Sequence, residues 1–165
     1  MTALMRSVDV KSKRPMEGLQ MAKVSTYLNF EGNTEEAFMF YKSVFGTEFT
    51  APIMRLGDVP PQPGMPPLSD ADKAKVMHVE LPTLGEHSLM GTDVVEGLGQ
   101  SLTVGNNVHI MLQPDSRKAA DGLFAALGAG GQVGMPLQDM FWGAYYGALT
   151  DKFGVQWMVN VQNAG

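Results

Sequence analysis

An internal repeat in this sequence decides which architectures the chain can adopt. When the sequence is compared with itself at an offset of 82 residues (45 to 127), Phe45-Gly46 falls on Leu127-Gly128 and Thr34 falls on Ser116. The same offset superposes two alternating segments, so that Thr26, Leu28 and Phe30 fall on Val108, Ile110 and Leu112. Alternation with a period of two is typical of strands. A strand, a helix and a closing glycine therefore recur in register, which predicts two modules of one design, with first strands beginning near Val24 and Asn107.

Each module contains one predicted helix. Side-chain oxygens of Asn33-Thr34 and Asp115-Ser116 can accept hydrogen bonds from the free N–H groups of a first helical turn. Apolar residues follow at helical spacing, and each stretch ends at a glycine. We predict helices over Thr34–Val44 and Ser116–Leu127, each with one face packed on a sheet.

A hairpin closes each module, and the first module carries an insertion. Strand-like segments flank Gly85 and Gly154, at residues 76–81, 87–91, 144–150 and 155–161. The two glycines are 69 residues apart (85 to 154), which is 13 fewer than the offset of 82. The eight residues 60–67 account for most of the difference, and the five prolines among them exclude a helix or a central strand. We expect an exposed loop there, with the properties of a lid.

Charge and composition exclude several classes of protein. Five of the 12 basic residues and two of the 17 acidic ones lie in the first 23 positions, which leaves seven basic and 15 acidic residues beyond them. A body this acidic repels phosphate backbones, so we expect no nucleic-acid partner. No apolar run approaches the roughly 20 residues that span a bilayer, and we expect no membrane association. The chain has no cysteine, which fits a cytoplasmic location and excludes a disulfide framework.

Both ends of the repeat resemble a known family. The opening motifs are Tyr27-Leu28-Asn29-Phe30, Ala37, Phe40-Tyr41 and Phe45-Gly46. The closing motifs are Phe141-Trp142, Gly147, residues 150–155, Trp157-Met158 and Asn160-Val161. Residues 22–162 resemble PhnB-like proteins of the vicinal-oxygen-chelate superfamily, which includes glyoxalase, extradiol dioxygenases and bleomycin-resistance proteins.

The resemblance implies an α+β fold of two βαβββ modules with curved mixed sheets and helices on the outer face. We place the modules at 24–92 and 105–162 within one domain at 22–165, preceded by a flexible extension at 1–21. The resemblance also implies a homodimer and a cleft that binds a small molecule. In such a fold one face of each strand packs on the helix and the other lines the cleft. If Leu28, Val108 and Ile110 face the helices, the predicted cleft residues are Tyr27, Asn29, His78, Glu80, His109, Met111, Trp142, Met158 and Asn160.

The metal ligands of such relatives are not retained at the corresponding positions. Metal-dependent members use a His or Gln on the first strand and a Glu on the last strand of each module, because their metals need converging nitrogen and oxygen donors. The corresponding positions are Thr26 or Tyr27, Leu89 or Met90, and Met158, so that only His109 survives. We therefore expect no bound metal. The alternative is a metal-dependent lyase, isomerase or dioxygenase with ligands relocated to His78, Glu80 and His109.

Two functions remain open on the sequence. The chain is either a protein that binds a small organic molecule between aromatic and methionine side chains, or an enzyme that uses His78 or His109 as acid or base. His87, beside Gly85, is expected to be solvated. We expect no cofactor for either function.

Overall fold

The computed structural model describes residues 22–162, and the predicted extension at 1–21 lies outside them. The described chain contains eight strands, three helices and two 3₁₀ turns at Leu56–Asp58 and Glu96–Leu98. The first half comprises β1 (Thr26–Phe30), α1 (Thr34–Phe45), β2 (Met54–Arg55), α2 (Asp70–Ala74), β3 (Val76–Pro82) and β4 (Ser88–Asp93). The second half comprises β5 (Ile110–Leu112), α3 (Arg117–Gly128), β6 (Gln132–Asp139), β7 (Ala144–Thr150) and β8 (Gln156–Gln162).

The strands form two four-stranded mixed sheets of the same topology. Their orders are β1-β4-β3-β2 and β5-β8-β7-β6. In each sheet the first strand pairs in parallel with the last, and the remaining pairs are antiparallel. The prediction of an α+β fold from two βαβββ modules is confirmed.

The first strands begin later than predicted, at Thr26 and at Ile110. Val108 was expected to face the helix, but it precedes β5 and is 67% exposed, so that prediction was wrong. The physical reason is a pair of hydrogen bonds from β8 to the segment before β5. The side chain of Gln156 donates to the carbonyl oxygens of Gly105 and Val108, at 3.2 and 3.4 Å, and holds this segment outside the ladder.

The two long helices begin by different means. Ser116 caps α3 as predicted, because its side chain accepts from the backbone N–H of Ala119 at 3.2 Å. Asn33 makes no such bond at the start of α1. The acceptor is instead the buried carboxylate of Asp93 at the end of β4, which receives the N–H of Thr34 at 3.0 Å and its hydroxyl at 2.6 Å. The cap of α1 therefore comes from a strand 59 positions away in the sequence.

One core joins the two modules. Tyr41 of α1 lies against Trp157 of β8 with ring centroids 5.7 Å apart, and both side chains are fully buried. Phe30 of β1 lies against Phe153 of the second module at 6.4 Å. The helices pack on one face of the sheets, which leaves the opposite faces open.

Candidate functional site

A crevice of 720 Å³ separates the first strands of the two modules. One wall is β1 and the other is formed by Val104, Ile110 and the β7–β8 turn. Two of the predicted site residues, Tyr27 and Asn29, lie in the wall. β1 and β5 are edge strands of two separate sheets, so no backbone ladder joins them across the crevice. A volume of this size is typical of a small-molecule pocket.

A tyrosine and a histidine meet at the margin of the crevice. The hydroxyl of Tyr27 lies 3.1 Å from Nδ1 of His78, and the ring centroids are 5.8 Å apart. The two side chains share the open face of the first sheet, because Tyr27 is the neighbour of Met90 in the ladder and Met90 pairs with Glu80, two residues from His78. Burial raises the pKa of Tyr27, so the phenol stays protonated at neutral pH and can donate. The pair offers a ligand one hydroxyl and one imidazole at a fixed separation.

Glu80 is engaged by its neighbours rather than free for a ligand. Its carboxylate lies 3.1 Å from the ammonium of Lys23 and accepts from the hydroxyl of Thr50 at 3.3 Å. Desolvation raises the pKa of Glu80, but hydrogen bonds from Ser88 and Lys23 outweigh it and lower the pKa overall. Glu80 therefore stays ionised and anchors the segment before β1 to β3.

Four further predicted residues lie on or beside the open face of the second sheet. Met111 is the neighbour of Met158 across β5 and β8, and Tyr146 pairs with Asn160 across β7 and β8. Trp142 lies against Tyr146 with ring centroids 6.2 Å apart. Asn160 is only 7% exposed, so it is nearly closed to solvent. His109 lies exposed just before β5.

His87 was expected to be solvated, and that prediction was wrong. Its ring lies between two threonines, with Nε2 3.0 Å from Thr26 and Nδ1 3.1 Å from Thr83. Burial and the nearby charge of Lys23 lower the pKa of His87. The residue ties β1 to the β3–β4 hairpin. Its position next to a turn glycine gave no sign of this, because Thr26 is 61 positions away.

The structure does not assemble the relocated metal ligands. Within residues 22–162, no three His, Asp or Glu side chains come close enough together to hold an ion. His78 contacts Tyr27, Glu80 contacts Lys23, and His109 belongs to the second module. Of the expected ligand positions, Tyr27 is paired with Met90 and Met158 is paired with Met111. Only His109, just before β5, keeps a nitrogen donor. Thioethers are too soft and weak as donors for Zn, Ni or Mn, so this donor set does not fit a glyoxalase-type metal.

No helix in the described part of the chain has the length and apolar character needed to cross a membrane.

Solved structures share this fold over most of the chain. Protein PA1353 from Pseudomonas aeruginosa is 36% identical, covers 87% of this chain and 100% of its own, and superposes with a TM-score of 0.74. The putative 3-demethylubiquinone-9 3-methyltransferase, PhnB protein, from Bacillus cereus is 26% identical, with 85% and 99% coverage and a TM-score of 0.64.

Sequence comparison agrees with the structural comparison. Protein YjdN of Escherichia coli (strain K12) is 28% identical over 145 residues, which is 84% of this chain and 94% of that protein. The family model of the Glyoxalase/Bleomycin resistance protein/Dioxygenase superfamily matches residues 24–159. With the paired sheets, the crevice and these relatives in agreement, the chain belongs to the Glyoxalase/Bleomycin resistance protein/Dioxygenase superfamily and is similar to its PhnB-like members.

Proposed function

We propose that the chain binds a small organic molecule between its two modules, without glyoxalase-type metal catalysis. The observation that carries this proposal is the crevice of 720 Å³, to which both modules contribute. Its wall combines apolar Leu28, Phe30 and Ile110 with polar Asn29 and Gln156. Pockets with an apolar lining and a few placed polar groups are typical of small-molecule sites.

Beyond the crevice, which only Tyr27 of the following side chains lines, the two open faces favour a ligand with unlike ends. The first sheet presents the hydroxyl of Tyr27 and the imidazole of His78, which suit an oxygen-bearing group. The second sheet presents Met111 and Met158 side by side, next to the aromatic pair Trp142 and Tyr146. Flexible thioethers and flat rings suit an apolar or planar portion. We infer a compound that carries an oxygenated group on an apolar frame.

Ligand binding is tested by comparing the same substitution at two tyrosines, one beside the crevice and one on the helix side of the second sheet. We expect Tyr27→Phe to weaken the binding of a ligand about five- to tenfold, because it removes one hydrogen bond that the ligand or His78 receives. Tyr145→Phe is the control, since its hydroxyl bonds to Asp121 on the helix side of the second sheet. The measurement is a screen of planar aromatic acids and small phosphonates by native mass spectrometry, followed by titration of the best compound. Equal affinities for both variants would place the ligand elsewhere.

A second candidate function is metal-independent proton transfer by His78. The observation that favours it is the 3.1 Å contact with Tyr27, which fixes one ring nitrogen and leaves Nε2 for a ligand. Turnover separates the two candidates, because a binding protein returns its ligand unchanged. A compound that is converted by the parent chain and only bound by His78→Gln identifies the enzyme.

Assembly and location complete the proposal. We propose a homodimer in the cytoplasm, in keeping with the absence of cysteine. The methyltransferase part of the name of the Bacillus cereus relative gains no support as an activity here. The glycine-rich stretch Gly128–Gly131 ends α3 and leads into β6, whereas a nucleotide-binding loop leads from a strand into a helix.

A further inference from the structure

The inserted loop of the first module encloses an apolar cavity. Residues 62–65 form a turn in which the N–H of Met65 donates to the carbonyl oxygen of Gln62 at 3.2 Å and Gly64 has a φ of 85°. Two proline pairs, Pro60-Pro61 and Pro66-Pro67, flank this turn. The loop and its surroundings enclose 710 Å³, lined mainly by apolar side chains such as Leu56, Val59, Leu68 and Met77, together with Lys73. Because each proline fixes its own φ, little conformational entropy remains to be lost when the cavity is filled.

Two large aromatic side chains project from the opposite module. Phe141 and Trp142 are the central residues of the tight β6–β7 turn, in which the N–H of Gly143 donates to the carbonyl oxygen of Met140 at 3.0 Å. Phe141 is 96% exposed and Trp142 is 51% exposed, with their ring centroids 4.9 Å apart. Central turn positions usually hold Gly, Asn, Asp or Pro. Trp142 lies against Tyr146, but Phe141 contacts no other aromatic ring of the described chain than Trp142 and is almost fully exposed, so its reason is to be sought in a contact with another molecule.

We propose that Phe141 and Trp142 of one protomer insert into the proline-loop cavity of a second copy of this chain. This inference rests on the proposed homodimer and names its contact. Aromatic rings pack well on the flat faces of prolines in extended segments, as in the recognition of proline-rich peptides. Because a two-fold axis repeats the contact, each dimer contains two such insertions.

Charge favours a second copy at this place. Residues 24–165 carry seven basic and 15 acidic side chains, so two copies repel each other over most of their surfaces. Residues 59–68 and 140–143 contain no charged side chain. Lys73 also lines the cavity, and its charge is paired with Asp70 at 3.0 Å. These two largely uncharged surfaces are where acidic copies can approach at the least electrostatic cost, and one is a cavity whereas the other is a projection.

The contact has a consequence for the ligand site. Trp142 lies against Tyr146, which pairs with Asn160 on the open face of the second sheet. An inserted turn brings the partner's proline loop to the edge of that face. The proline loop of each protomer then acts as a lid for the ligand site of the other protomer, and not for the module to which the loop belongs.

The test uses the absence of cysteine. Gln62→Cys places a thiol at the rim of the cavity, and Gln138→Cys places one on the exposed end of β6 beside the aromatic turn. We expect a short bis-maleimide to join the two sites of different protomers in this double variant and to give one covalent dimer of about twice 17.8 kDa. The control pair combines Gln62→Cys with Gly122→Cys, at an exposed position of α3, and should give no covalent dimer.

Added substitutions separate the contact from the dimer. With Phe141→Ser and Trp142→Ser, we expect the cross-link to be lost and the dissociation constant of the dimer, from light scattering, to rise about 100-fold or more. A dimer that gives no cross-link and keeps its affinity would overturn the contact and leave the proposed homodimer standing. A monomer at every concentration would overturn both. A cross-link within one chain, or a ladder above the dimer, would overturn the closed two-fold exchange.

Discussion

Asp151→Asn should lower the free energy of unfolding by about 3–5 kcal/mol, because it leaves two buried donors without an acceptor at about 1–3 kcal/mol each. Asp151 is 3% exposed. Its Oδ2 accepts from the hydroxyl of Tyr41 at 2.7 Å and from the indole N–H of Trp157 at 2.8 Å. Its Oδ1 accepts from the backbone N–H groups of Phe153 and Val155 at 2.8 and 3.1 Å. An amide in this place turns one acceptor into a donor that faces other donors.

The bond to Tyr41 links the two modules, since it joins α1 to the β7–β8 turn. Desolvation and the charge of Asp151 raise the pKa of Tyr41, so the phenol remains a donor. Tyr41→Phe should cost less, about 1–2 kcal/mol, because it removes one donor and leaves the other three. Urea denaturation measures both values. Glu86→Gln, a matched change at an exposed carboxylate, should stay within about 0.5 kcal/mol of the parent. A similar small effect for Asp151→Asn would contradict the network.

Gly91→Ala should cost about 3 kcal/mol, the upper end for overpacking of a core. A Cβ atom at this position of β4 would lie 2.3 Å from Cε2 of Phe38 and 3.1 Å from Cγ2 of Thr34. Both neighbours are fully buried on α1 and cannot move aside without disturbing the core. The φ of Gly91 is not positive, so the effect is steric and not a matter of backbone strain.

The second module shows how the same place accepts a large side chain. At the offset of 82, Phe38 corresponds to Ala120. Gly91 is the neighbour of Leu28 and Trp157 is the neighbour of Ile110, so these two residues also correspond. In the first module the helix carries the large residue, Phe38, and the strand the small one, Gly91. In the second module the helix carries the small residue, Ala120, and the strand the large one, Trp157. The double variant Phe38→Ala with Gly91→Ala should therefore lose clearly less stability than the sum of the single losses. If the loss of the double variant equals the sum of the single losses, the Cβ atom of residue 91 does not clash with Phe38. Gly122→Ala, at an exposed position of α3 with nothing within 4 Å, is the control and should stabilise the chain by up to about 1 kcal/mol.

The fold followed from local patterns. The alternation in β1, the helical spacing in α1 and α3, and the glycines that end these helices are all visible within a few residues, and they recur at one offset. The start of β5 was misplaced because Val108 fits the alternation but is held away from the ladder by Gln156, 48 positions later. Local patterns record no such long-range restraint.

The candidate site followed only in part. Strand alternation predicted that Tyr27 and Asn29 face away from the helix, but the crevice runs along the whole of β1, so Leu28 and Phe30 of the opposite face line it as well. The pairing of Lys23 with Glu80 joins residues 57 positions apart and has no local pattern. The cap from Asp93 and the network around Asp151 were missed for the same reason, because carboxylates that satisfy distant backbone groups look like ordinary polar residues in a sequence.

Metal content and bound ligand together decide whether the chain binds an organic molecule without a catalytic metal. The most direct measurement is native mass spectrometry of the protein as purified without chelator, with elemental analysis of the same sample. We expect well under one transition metal per chain, because Met158 and Leu89 or Met90 stand where the last-strand carboxylates are needed, and His109 alone does not hold a metal. We also expect an organic compound, either retained from the cell or added from the screen, to appear as an intact adduct. About one metal per chain, lost on combining His78→Ala with His109→Ala, would contradict the account and identify the chain as a metal-dependent enzyme with relocated ligands.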